Sequence, residues 1–236
     1  MLRQGLADSR ARAQALVLAG LVFAGERRLE KPGAKIAADT PIQVRGKDHP
    51  WVSRGGVKLA HGLDHFRIDP AGLVALDIGA STGGFTDVLL HRGARRVYAV
   101  DAGRGQLDWK LRNDARVVVL EKTNARYLDS QTIPEPPQLI VCDVSFIGLE
   151  LALPAALALA ARGARLIALI KPQFEVGKTR VGKKGVVRDP ALHREVCERI
   201  EAWLNAQSGW RVLGLTESPI AGPEGNKEFL IAGMRE

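Results

Sequence analysis

The sequence predicts an α/β protein, a doubly wound, mostly parallel sheet preceded by a small basic α+β module. Three observations carry this. Leu73–Phe85 is an apolar run ending in Asp77, then a small-residue turn with Gly79, Gly83 and Gly84; a helical pattern follows from Thr86 to Leu90. That is strand, tight turn, helix. Further apolar runs follow at intervals filled by helical patterns, and they are continuous rather than alternating, as in strands covered on both faces. Residues 1–47 differ in character: nine Lys/Arg against four Asp/Glu give a net +5, most of the chain's +8.

In chain order, Asp8 or Ser9 can cap a helix that runs to Ala19 and stops at Gly20. Leu21–Phe23, Arg27–Leu29 and Pro41–Val44 read as short strands, with turns at Ala24-Gly25-Glu26 and Lys31-Pro32-Gly33. Residues 48–56 form a linker, broken by Pro50, Gly55 and Gly56. Trp51 in it is a hydrophobic peg between modules or a base-stacking platform. Val57–Phe66 is a helix bearing Lys58. After the central motif, strands are expected at Val97–Val100, Val117–Leu120, Leu139–Cys142, Leu166–Ile170, Arg211–Leu215 and Phe229–Ala232, seven in all, the last two antiparallel. Leu151–Arg162 and His193–Ala206 read as helices.

The 236 residues suffice for a large domain and a small one, and 46% hydrophobic content is ordinary for a chain with a core. A pI near 9.8 favours an anionic partner, nucleic acid before membrane. Cys142 and Cys197 form no C-x-x-C, and the five histidines show no ligand spacing, so no disulfide framework or metal site is expected. The longest apolar runs are too short to span a bilayer and no signal peptide is visible, so a cytoplasmic protein is expected.

The turn after the first strand narrows the ligand. Ser81 stands where a dinucleotide fingerprint needs its second Gly, and Gly84 precedes Phe85 where a P-loop needs Lys. An acid, a small-residue turn and no phosphate-binding Lys suit a nucleoside without pyrophosphate, and S-adenosylmethionine fits. Asp101, 22 residues beyond Gly79, is placed to accept ribose hydroxyls. Asp143 and Lys171 end successive strands and should meet beside that ligand, as a reactive pair or a structural ion pair. Asp143-Val144-Ser145-Phe146 lacks the prolines of enzymes that methylate exocyclic amines, and Cys142, pointing away from Asp143, reads as core rather than nucleophile. Residues 178–188 carry five cations and no acid at the rim of the crevice, which suits phosphate contact.

Ser9-Arg10, Ala13, Leu16, Gly20-Leu21-Val22 and Lys31-Pro32-Gly33 resemble the small RNA-binding domain named after ribosomal protein S-four, with only the tail of its opening helix at Met1-Leu2-Arg3: either that first helix is truncated or the true start lies upstream. Further motifs extend the resemblance: Ser53-Arg54-Gly55-Gly56-Val57-Lys58-Leu59, Asp77 to Thr86, Gly105-Gln106-Leu107, Leu111-Arg112-Asn113-Asp114, Thr123-Asn124-Ala125-Arg126, Asp143-Val144-Ser145-Phe146-Ile147, Lys171-Pro172-Gln173-Phe174-Glu175-Val176-Gly177-Lys178 and Gly225-Asn226. Through them the chain resembles the TlyA family, S-adenosylmethionine-dependent ribosomal-RNA methyltransferases also called haemolysin A. Its catalytic half also resembles the FtsJ-type ribose 2′-O-methyltransferases.

The resemblance implies a Rossmann-like methyltransferase domain over residues 57–236, with a catalytic Lys-Asp-Lys-Glu tetrad at Lys58, Asp143, Lys171 and Glu228. It implies cofactor contacts from Asp77, Gly79, Ala80, Ser81, Thr82, Gly83, Phe85, Asp101, Asn124 and Asp143. It implies RNA contacts from Arg10, Arg12, Arg54, Lys178, Arg180, Lys183 and Lys184. The expected partner is ribosomal RNA or a ribosomal subunit, without metal or membrane, and the expected target is a cytidine ribose of large-subunit 23S RNA. The competing readings are a membrane-lytic protein and an RNA-binding protein on a non-catalytic methyltransferase fold.

Overall fold

The computed structural model describes residues 1–236 except 5, 8, 9, 38, 46–48, 183, 184, 223 and 224, and except the side chains of 3, 12 and 178. The expected cap at Asp8 or Ser9 and the expected RNA contacts of Arg12, Lys178, Lys183 and Lys184 therefore lie outside the described residues.

The small module comes first. Helix α1 (Arg10–Leu18) packs on a three-stranded antiparallel sheet of β1 (Val22–Ala24), β2 (Arg27–Arg28) and β3 (Ile42–Val44), in the order β2-β1-β3. Its core is slight: Leu16, Val17, Val22 and Leu29.

The larger domain opens with α2 (Gly55–Phe66), β4 (Val74–Ile78), α3 (Gly84–His91), β5 (Arg96–Val100), α4 (Trp109–Arg112), β6 (Val117–Leu120) and β7 (Leu139–Cys142). It continues through α5 (Leu149–Ala152), α6 (Pro154–Leu159), β8 (Arg165–Ile170), α7 (Pro172–Glu175), α8 (Pro190–Asn205), β9 (Trp210–Glu217) and β10 (Phe229–Arg235). The sheet order is β6-β5-β4-β7-β8-β10-β9. Its first five members run parallel, and β10 inserts antiparallel between β8 and β9. Every residue of β4 is buried. Val74, Leu76 and Ile78 face the core shared with α5, α6 and α8, while Ala75 faces the core shared with α2 and α3. A strand covered on both faces has no solvent side, hence its unbroken apolar run.

The helix expected at Leu151–Arg162 is two short helices. Pro154 opens the second and has no N–H to continue the first. The stretch expected to link the domains is packed instead. The Val52 N–H donates to Asp87 Oδ2 at 2.8 Å, Ser53 is buried, and Trp51 meets His91 edge-on with ring centroids 5.4 Å apart. Trp51 thus packs against the core of the larger domain.

Strand order reverses at β4, which has β5 on one side and β7 on the other. Ligands bind outside the carboxyl ends of strands at such a switch point, so the crevice lies above Gly79 and Asp143.

Candidate active site

Two cavities meet at the switch point. The larger, about 520 Å³, is lined by Gly79, Ser81, Asp101, Gln106, Asn124, Asp143 and Ser145 among others. The smaller, about 160 Å³, is lined by Ser53, Arg54, Lys58, Ala80, Thr82, Phe85 and Lys171, and shares Gly79, Ser81, Asp143 and Ser145 with the first. Leu18 of the small module lines both.

The turn after β4 depends on close approach. Gly79 has φ +83°, and a Cβ there would stand 2.7 Å from the Asp143 carbonyl oxygen. Only glycine lets this backbone reach β7's end. Asp101 orders the same turn, accepting the Ser81 N–H at 2.8 Å and the Gly103 N–H at 2.6 Å. A carboxylate has about four lone-pair sites, so Asp101 can still accept from a ligand. The Ser81 hydroxyl donates to Gln106 Oε1 at 3.1 Å, leaving the Gln106 amide N–H groups for other partners.

Asp77 behaves differently. Its side chain has no exposure and lines neither cavity; Oδ2 accepts the Thr86 hydroxyl at 2.6 Å while Oδ1 has no partner among the described residues. Burial pushes its carboxyl up to about 7, against the Thr86 hydrogen bond and with help from the nearby Asp143 charge. Gly83 also lines neither cavity.

The four expected catalytic residues come from α2, the ends of β7 and β8, and the start of β10. Lys58 Nζ donates to Glu228 Oε2 at 2.5 Å, and both residues are buried. Lys171 Nζ lies 2.5 Å from Asp143 Oδ1 as an ion pair and donates a hydrogen bond to Ser145 Oγ at 3.1 Å. Burial alone would drive Asp143 up, but Lys171, Lys58 and Arg54 outweigh it and hold the carboxyl below its ordinary range. Burial would likewise pull Lys171 down, but Asp143 and Glu228 outweigh it and hold the amine above its ordinary value. Lys171 therefore rests as an ammonium ion. Cys142 is fully buried and its thiol is pushed up by burial, as befits a core residue.

Arg54, expected on RNA, bridges the modules: it pairs with Glu30 at 3.6 Å and donates to the Ala221 carbonyl at 2.6 Å. Arg180 is exposed, its guanidinium ion-paired with Glu195 at 2.5 Å. Arg10 is exposed on the small module, beside a separate cavity. Beyond these the structure brings in Ser145, Gln106, Thr86 and Leu18. Asn226 also acts near the tetrad, pinning the end of the basic loop by accepting the Val187 N–H at 3.0 Å and donating to Gly185 O at 3.0 Å.

The larger cavity fits a nucleoside with a polar tail. It offers an acid placed for vicinal hydroxyls, free amide donors and glycine-built backbone, in a volume ordinary for such ligands. Among the described residues no cluster could hold a metal ion, and no helix is long and apolar enough to cross a membrane.

A family model described as FtsJ-like methyltransferase matches residues 51–235. The Mycobacterium tuberculosis protein named 16S/23S rRNA (cytidine-2′-O)-methyltransferase TlyA is 47% identical over 232 residues, 98% of this chain and 86% of that protein. The Campylobacter jejuni protein named 23S rRNA (cytidine-2′-O)-methyltransferase TlyA is 38% identical over 180 residues, 76% of this chain and 69% of that one. Among solved structures, a candidate hemolysin of Streptococcus thermophilus superposes with TM-score 0.78 at 44% identity, covering 99% of this chain and 85% of that one.

Proposed function

The chain belongs to the FtsJ-like methyltransferases, in the TlyA family, and on that premise we propose that it methylates a ribose 2′-hydroxyl of ribosomal RNA, at a cytidine of the 23S molecule. The cofactor of the family is S-adenosylmethionine. The observation that carries the reading is the Lys171–Asp143 pair, 2.5 Å apart where the two cavities join. The names of the Mycobacterium and Campylobacter relatives support the cytidine and the 23S molecule.

When bound, the cofactor supplies a methyl group on a sulfonium, electrophilic enough for a neutral hydroxyl. Asp101, Gln106, Asn124 and the backbone at Gly79–Ser81 would hold it in the larger cavity, leaving the smaller one for the target ribose. Alignment supplies much of the rate in such a site. Lys171 stands as an ammonium between Asp143 and Ser145, so it polarises the hydroxyl oxygen rather than waiting as a free base. Loss of the hydroxyl proton comes late, when the oxygen has become acidic. Lys171 takes that proton as it passes its own to Asp143. Glu228 and Lys58 balance charge behind this pair and keep it in place.

The test is methyl transfer from labelled S-adenosylmethionine to separated large and small ribosomal subunits from a strain lacking this gene. Label at a cytidine of 23S RNA, with an alkali-resistant phosphodiester beside it, is the expected result. Label on a base would refute the ribose assignment.

A further inference from the structure

Glu175 closes α7, four positions beyond Lys171, and its side chain is only 3% exposed. Its contacts run back to the other catalytic strand end. Oε1 accepts the Leu149 N–H at 2.9 Å, and Oε2 accepts from Arg199 Nη2 at 3.0 Å. Arg199 also donates to the Glu175 carbonyl at 3.0 Å and pairs with Glu150. A Cβ at Gly148 would stand 3.0 Å from Oε2, so the carboxylate fills the space that a side chain at 148 would take.

These contacts tie together two segments. One, residues 143–149, leaves β7 with Asp143 and Ser145; the other, residues 171–175, leaves β8 with Lys171. At their near ends Lys171 Nζ meets Asp143 Oδ1 at 2.5 Å and Ser145 Oγ at 3.1 Å. Midway the rings of Phe146 and Phe174 lie 5.0 Å apart. Phe146 has φ +68°, uncommon for a bulky residue, so the backbone turns sharply there although the side chain is largely exposed. At the far ends stands Glu175.

We propose that Glu175 is a positioning residue for methyl transfer: braced by Arg199, it fixes segment 143–149 against segment 171–175 and so sets where Asp143 and Ser145 meet Lys171. The inference rests on the roles given to Lys171 and Asp143 above. A well-packed apolar side chain could serve stability equally well. The carboxylate adds direction, one oxygen on a backbone N–H and the other on a guanidinium. Burial pushes the Glu175 carboxyl above its ordinary range, so its charge there depends on Arg199. Misplacing a reacting group by about 1 Å can cost ~10²-fold in rate.

The full chain is assayed on ribosomal subunits as Glu175→Gln, Glu175→Asp, Arg199→Lys and Arg199→Met. Glu175→Gln should lower kcat tenfold or more, while KM for the subunit and affinity for S-adenosylhomocysteine stay within threefold. Arg199→Lys, which keeps the charge, should retain several times the kcat of Arg199→Met. A folded Glu175→Gln enzyme with kcat within twofold of the parent overturns the proposal. So does a parallel fall in kcat, cofactor affinity and melting temperature, which would mark a merely structural residue. If Glu175→Gln does not fold, Glu175→Asp and the Arg199 pair carry the same comparison. Lys171→Ala in the same assay separates the two ideas: if it turns over normally the catalytic reading itself fails, whereas an inactive Lys171→Ala beside a normal Glu175→Gln removes only this inference.

Discussion

Lys58 and Glu228 form a buried ion pair across 170 positions of sequence, with Nζ 2.5 Å from Oε2 and side-chain exposures of 5% and 0%. Removing one member leaves the other charged and buried. Glu228→Leu and Lys58→Met should each destabilise the fold by about 3–5 kcal/mol, and the double variant should recover most of that loss. Urea titration of the four proteins checks this. Methyl transfer should not recover with stability, because the pair also balances the charges of Lys171 and Asp143. Full activity in the double variant would remove both residues from the proposed mechanism.

Lys171→Ala should lose about 10²–10⁴-fold in turnover, the range for a group that manages a proton, while S-adenosylhomocysteine and RNA still bind. Lys171→Arg should rescue poorly, since a guanidinium cannot give up its proton to Asp143. Single-turnover kinetics beside calorimetry make the separation; near-normal turnover in Lys171→Ala would end the assignment.

Asp77 should leave a signature in the pH dependence of stability. Its carboxyl ordinarily titrates near 3.8 and is raised to about 7 in the fold. Between those values the folded state holds the proton that the unfolded state has lost, so stability falls as pH rises from about 4 to about 7, then levels off. The full shift, some three pH units, corresponds to roughly 4 kcal/mol. Asp77→Asn keeps an acceptor for Thr86 and carries no charge. It should flatten that slope and be the more stable protein at pH 8. Denaturant midpoints measured from pH 5 to 8 decide it; parallel profiles would show that Asp77 is ionised throughout.

Gly79→Ala should abolish cofactor binding without unfolding the sheet. The added Cβ would meet the Asp143 carbonyl oxygen at 2.7 Å, in a conformation that favours glycine. The turn must then withdraw from the junction of the cavities. A loss of more than tenfold in S-adenosylhomocysteine affinity is expected; an unchanged isotherm would place the cofactor elsewhere.

Deleting residues 1–47, with their net +5, should weaken RNA binding and reduce its salt dependence. Leu18 lines both cavities, so turnover at saturating RNA should fall as well. An unchanged salt slope would show that the phosphates are held by other cations.

The parallel strands were legible because burial on both faces leaves an apolar signature that needs no partner to be read. Asp143 and Lys171 followed, as residues that end adjacent strands. Lys58 and Glu228 were not legible from the residues: Glu228 reads as a surface acid until β10 is seen to insert beside β8, and pairing at such a distance leaves no local trace. Ser145 and Glu175 were missed for a related reason, since a serine in a turn and an acid ending a short helix look ordinary until their partners appear. Asp77 looked ligand-facing because it ends a strand. Side chains alternate between faces, and here that alternation turns the carboxyl inward to Thr86. The break at Pro154 is different, because its signal was present in the sequence: a proline with no N–H to offer.

The insertion of β10 also closes the outer edge of β8. Phe229, the first residue of this last strand, lies opposite Ile170, the last residue of β8. β4 to β8 all precede β10 in the chain, and the outer edge of β8 has no other strand to pair with. Glu228, one residue before that strand, reaches its partner Lys58 only when the strand is in place. Without β10 the β8 edge would stay exposed, with unpaired backbone groups ready to take a strand from a neighbour. The strand that brings Glu228 to Lys58 thus also guards the polypeptide against aggregation.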